Sequence, residues 1–211
     1  MTYDEIVYYT KTIIDEVSPV DGLEDGISIS DFGSDKPIDD FISQVLQEAA
    51  NETQLVAPTY YLTGSSLSLS DMVVGTDGVG VIAKPSSFLK ALRFELATWK
   101  RAVNTTVSEG SPRADMQGNK YLRGGLAKPV VVEEKEYLRF YPCSLADKEA
   151  GLADLKYAAV LSPANIPEPL QRPMCWLTAS KVLQIVGNIN LSAKCKEHFA
   201  EMIQELNRKI I

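Results

Sequence analysis

Ile38, Phe41, Ile42, Val45, Leu46 and Ala49 recur at i, i+3, i+4, i+7, i+8 and i+11. That spacing lays one apolar stripe along one side of an α-helix and leaves polar residues on the other. Such a helix must cover its stripe with another element, which limits the folds open to the chain. Ser34 or Asp35 would cap this helix, Pro37 falls in its first turn, and Pro58 blocks its continuation.

Similar stripes occur at both extremities. Thr2-Tyr3-Asp4-Glu5 fits a capping box, and Ile6, Val7, Ile13, Ile14 and Val17 follow at helical spacing. Asp15 and Glu16 sit where the helix dipole disfavours acids, so this helix should stop there. Residues 18–34 read as loop, with one proline, three glycines and several acids. Near the other end, Cys175, Trp176, Ala179, Val182, Leu183 and Val186 form a stripe that Gly187 should end. Asn190 or Ser192 would cap a last helix carrying Cys195, Phe199, Met202, Ile203 and Leu206. Two basic residues in the closing "NRKII" suit the negative end of its dipole.

Between these ends the hydrophobic period changes to two. "SLSLSDMVVGTDGVGVIAKP" predicts short strands around an Asp77-Gly78 hairpin. "PSSFLKALRFELATWKRAV" predicts a helical turn at 85–89 and a strand at 91–99. "KPVVVEEKEYLRFYP" predicts strands near 129–133 and 136–141, and "LKYAAVLSP" one near 155–161. The expected fold class is α+β. N- and C-terminal helix pairs (residues 1–62 and 164–211) form a helical bundle, and an inserted β-rich region covers residues 63–163.

The 211 residues suffice for a core without staples, and no run approaches the ~18 apolar residues of a membrane span. The acidic N-terminus lacks the cationic start of a secretory signal. Cys143, Cys175 and Cys195 are too far apart for a zinc or disulfide framework and are expected as buried, reduced thiols.

Charge is unevenly spread. Residues 1–86 carry 3 basic and 15 acidic groups, whereas residues 87–126 carry 7 basic and 3 acidic. Unlike patches attract, so this asymmetry favours head-to-tail contact between copies.

Chemistry-bearing constellations are sparse. The single histidine, His198, follows Cys195 by three residues, but a zinc site wants three or four ligands. Asp39 and Asp40 diverge on a helix, and Glu133 and Glu134 point to opposite sides of a strand. An enzyme would need residues converging from distant parts of the chain. Lys90, Arg93, Lys100, Arg101, Arg113, Lys120 and Arg123 interleave with Phe94, Trp99 and Tyr121, as a nucleic-acid-binding module would have them. The acidic total argues against that reading. Trp176 reads as core. Trp99 reads either as core at the base of the β-region or as a contact anchor. The candidate interface residues are Trp99, Lys100, Arg101, Tyr121, Leu122 and Arg123, the last three beside a Gly124-Gly125 pair that would let a docking loop adapt. No catalytic, cofactor or metal-binding residue is expected.

The order of segments resembles the head–tail adaptor, or connector, proteins of short-tailed bacteriophages, including the crAss-like phages. The resemblance runs through "IDDFISQVLQEAANE" into "APTYYL", then "KPSSFLKALRFELATWKRAV", "SPRADMQGNKYLRGGLAKPVV", a strand pair and two closing helices. It implies a virion protein of the phage neck, assembled in the host cytoplasm. It also implies a homo-oligomeric ring, typically of twelve subunits, bound to the portal protein and to other tail or ring proteins. Genomic DNA would pass through its channel, with no membrane and no cofactor involved. An acidic half facing that channel would repel the DNA.

Overall fold

The N-terminal capping box is present in a computed structural model of the chain. The Thr2 N–H donates to Glu5 Oε2 at 2.7 Å, and the Glu5 N–H donates to Thr2 Oγ1 at 3.3 Å. Two orphan amides of the first turn are thereby satisfied. The structure describes residues 1–17 and 38–208. The expected loop at 18–34, the cap at Ser34 or Asp35, the placement of Pro37 and the role of Lys209 lie outside those residues.

The fold is mixed α and β, with helices from both chain ends and a β-region between them. The described elements fall into two compact units, Met1–Leu62 with Leu161–Ile211, and Thr63–Val160. In the helical unit, α1 (Tyr3–Val17) buries Ile6, Ile13 and Ile14, and α2 (Ile38–Val56) buries Ile42, Val45, Leu46 and Ala49. Both cover their stripes against α5 (Glu168–Ile185), which α6 (Ile189–Arg208) also contacts.

That central place changes what α5 looks like. A single stripe was expected on it, yet Leu170, Met174, Cys175, Leu177, Ala179, Val182 and Leu183 are buried around much of its circumference. A helix enclosed on several sides loses its amphipathic signature. It also begins at Glu168, seven residues before the expected stripe, and runs through Pro173. Burial of the proline ring and its neighbours offsets the lost backbone bond. Trp176 is half-buried rather than core, with its ring 4.7 Å from that of His198. Gly187, at φ 85°, turns the chain after α5. The cap of α6 is Asn188, whose Oδ1 accepts from the Leu191 N–H at 3.1 Å, not Asn190 or Ser192.

The second unit holds β1 (Gly64–Ser66), β2 (Val73–Val74), β3 (Gly80–Ala83), β4 (Phe88–Leu96), β5 (Val107–Ser108), β6 (Val130–Glu133), β7 (Tyr137–Tyr141) and β8 (Ala153–Ala159). Short helices α3 (Pro112–Gly118) and α4 (Leu145–Ala150) lie among them. One sheet has the order β1-β8-β4, the other β2-β3-β7-β6-β5, and β5–β6 is the parallel pair. At 85–89 the chain makes one hydrogen-bonded turn, the Phe88 N–H donating to the Pro85 carbonyl at 2.9 Å, and no helix, because β4 already starts at Phe88; the strand ends at Leu96 rather than at 99.

Alternation fixes which side chains face which core. Phe94, Leu96, Leu155 and Tyr157 of the first sheet cluster with Ile82, Val131, Leu138 and Phe140 of the second. The flanking Val130 and Val132 point the other way, to an outer cluster with Val79, Tyr141 and Ala114. The five-stranded sheet is therefore covered on both faces, and its outer cover is α3 and the segment after it.

Candidate interaction surface

Residues 111–128 fold as a helical turn followed by a pinned arm. The stretch has a loop-like composition, but residues 112–118 are helical. Ser111 caps α3, accepting the Ala114 N–H at 3.3 Å, and Pro112 occupies the first turn, where its missing N–H costs nothing. Ala114 rests on the outer face of the five-stranded sheet.

After α3 the Asn119 carbonyl accepts the N–H groups of Leu122 and Arg123 at 3.0 and 2.9 Å, and Asn119 Oδ1 accepts that of Tyr121 at 3.0 Å. This tight turn throws Tyr121 and Leu122 outward, to 94% and 57% exposure. Arg123 does the opposite. Its Nε donates to the Gln117 carbonyl at 3.0 Å, its Nη1 to the Asp77 carbonyl at 2.6 Å, and its guanidinium lies 5.1 Å from the centre of the Tyr141 ring. Three segments of the unit are thus tied to one side chain.

The two glycines divide their roles. A Cβ at Gly124 would lie 2.3 Å from the Lys128 carbonyl oxygen, so glycine is required there by close approach and not for adaptability. A Cβ at Gly125 would meet open space. Leu126 O accepts the Lys100 N–H at 2.9 Å, which joins the arm to Lys100 and Arg101.

Four of the six residues singled out from the sequence are exposed in this region: Lys100, Arg101, Tyr121 and Leu122. The other two are drawn into the fold. Trp99 is 5% exposed in the core between the sheets, where its Nε1–H donates to the Pro142 carbonyl at 2.7 Å. It follows the strand by three residues, and the chain folds its indole inward. Arg123 is committed to the fold as just described. Sequence reasoning missed Met116 and Leu126, both exposed beside this turn. A seven-residue helix is too short for its outward phase to be read from periodicity.

The basic patch is also smaller than its sequence suggested. Arg93 bonds to Glu95 and Asp154, Lys84 to Glu133, and Arg139 to Glu134. Lys100, Arg101, Arg113, Lys120 and Lys128 are exposed and have no ion-pair partner among the described residues. The surface therefore presents an aromatic and aliphatic tip on a fixed base, in a stretch whose exposed cations outnumber its exposed acids, Glu109 and Asp115.

Burial pushes the thiols of Cys143, Cys175 and Cys195 up to about 11. His198 is exposed beside Glu201 while Cys195 is fully buried, so the two do not converge. Among the described residues no three His, Cys, Asp or Glu side chains are placed to hold a metal ion. Asp39 pairs with Lys11, Asp40 is exposed, and the neighbours Glu133 and Glu134 have separate basic partners. No described helix is long and apolar enough to cross a membrane. No protein-family model matches the chain, and no curated protein matches it.

Proposed function

We propose that this chain is a head–tail adaptor subunit, one member of a homo-oligomeric ring that joins the portal to the tail of a bacteriophage particle. The observation that carries the reading is the arm. Tyr121 and Leu122 are presented to solvent on a base held by Arg123, in a stretch whose exposed cations outnumber its exposed acids. A preorganised aromatic tip with a basic rim suits contact with another protein surface, because little ordering entropy is lost on docking. The segments that resemble the adaptor family correspond to α2, to β4 and to the run from α3 through the arm into β6.

In this reading the ring sits in the virion neck, assembles in the host cytoplasm and gives later tail proteins a platform. The genome crosses its channel without being read. Neither a cofactor nor a membrane is needed. The dodecameric count comes from the family resemblance.

The test is the mass of the full-length protein alone and after mixing with the portal encoded by the same genome. A portal-bound ring is expected, even if the free protein is monomeric. Absence of any portal complex, together with DNA affinity that falls steeply with salt, would replace this reading with a nucleic-acid-binding one.

A further inference from the structure

The arm's cations need a counterpart, and the described surface offers one well-defined candidate. In α1, Asp4, Glu5, Tyr8, Thr12, Asp15 and Glu16 fall within about 120° of one another around the axis at ~100° per residue. That face lies opposite Ile6, Ile13 and Ile14, which are buried. Tyr8 at its centre is 73% exposed, and Asp4, Glu5, Asp15 and Glu16 are all exposed. Among the described residues none of these four carboxylates has an ion-pair partner. The one base on the helix, Lys11, is engaged by Asp39 of α2.

Other acidic faces have bases of their own. On α2, Asp39 is paired with Lys11, and Glu48 and Glu52 share Lys181 at 2.9 and 2.8 Å. On α6, Glu197, Glu201 and Glu205 are interspersed with Lys194, Lys196 and Arg208. The excess of positive charge around Tyr121 and the unpaired negative charge around Tyr8 thus belong to different units of the chain.

We infer that the arm of one copy docks on the outer face of α1 of a second copy. Lys100, Arg101 and Lys120 meet Asp4, Glu5, Asp15 and Glu16, and the Tyr121–Leu122 tip packs against Tyr8. The two surfaces differ, so the contact is heterologous and repeats head to tail, closing as a ring where the rotation allows. The closure, though not the pairwise contact, rests on the adaptor reading. This contact assigns the α1 carboxylates to a neighbouring subunit instead of to a channel.

The test uses two full-length variants, Tyr8→Cys and Tyr121→Cys, mixed under mild oxidation. Both positions are exposed, so folding should be unchanged, which a thermal melt of each variant verifies. The three native thiols are buried and reluctant to ionise, so the introduced ones react first. The expected result is a mixed disulfide forming several-fold faster than either variant bridges to itself. It should slow in about 1 M salt, where the screening length falls to about 3 Å. A mixed disulfide no faster than the self-bridged ones overturns the assignment. Portal binding by the parent protein is measured separately, so loss of this contact and loss of the adaptor reading are distinguishable.

Discussion

The Arg123 guanidinium donates to the carbonyl oxygen of Asp77 at 2.6 Å, across 46 positions of sequence. A loop between two glycines becomes a fixed arm through this contact and its companions at Gln117 and Tyr141.

Arg123→Ala should therefore lower the stability of the β-rich unit by about 1–3 kcal/mol, because the Gln117 and Asp77 carbonyls lose a charged donor. Arg123→Lys should not rescue it, since one ammonium cannot span the same acceptors. Tyr121→Ala and Leu122→Ala should each change stability by no more than about 0.5 kcal/mol and yet weaken assembly. Denaturant titration of the variants, set beside their assembly, separates the two effects. Destabilisation by Tyr121→Ala as large as that by Arg123→Ala would contradict this division.

Gly124→Ala should cost about 1–3 kcal/mol, because its Cβ would press on the Lys128 carbonyl at 2.3 Å. Gly125→Ala should be close to neutral. Melting curves of the two variants check the contrast directly.

Trp99→Ala should be among the most damaging single changes in the β-rich unit, at about 3–5 kcal/mol. Trp99→Phe retains much of the packing but leaves the Pro142 carbonyl without its donor, for about 1–3 kcal/mol. A surface contact residue would show neither loss in the isolated protein.

Asp147 ties stability to acid pH. Burial alone would raise its carboxyl, but hydrogen bonds from Thr98 and Ser144 outweigh that and hold it below its ordinary value. The Thr98 N–H donates at 3.0 Å and the Ser144 N–H and hydroxyl at 2.9 and 2.8 Å. A depressed folded value means the unfolded chain takes up a proton first as pH falls. Its contribution is complete well above pH 4 and disappears as the pH drops through the folded value. Asp147→Asn should cost about 1–3 kcal/mol at neutral pH and flatten the stability profile below about pH 4. Urea midpoints from pH 7 down to 3 measure both.

The helices at the chain ends were legible wherever a single face is covered. The stripes of α1 and α2 and the reciprocal Thr2–Glu5 bonds follow from local rules, and so does the Val130–Tyr141 hairpin. The beginning of α5 was not legible. Its prolines signal a loop, and its central position erases the contrast between faces on which periodicity depends. In the candidate site, exposure of Lys100, Arg101, Tyr121 and Leu122 agreed with their polar and turn-rich setting. The fate of Trp99 and Arg123 depended on Pro142 and Asp77, partners whose proximity only the folded chain creates. The pairing of Arg93 with Asp154 likewise arises from strand register, which composition does not encode.

The division of the chain also orders events during synthesis. Residues 63–160 are continuous, so a ribosome delivers every strand of their two sheets before Leu161 emerges. α1 and α2 precede that unit yet must wait for α5, which covers their apolar sides and is translated after it. A nascent chain arrested once β8 has left the ribosome, with α5 still inside it, should thus carry a folded β-rich unit and uncovered α1 and α2, and would lean on chaperones at those helices.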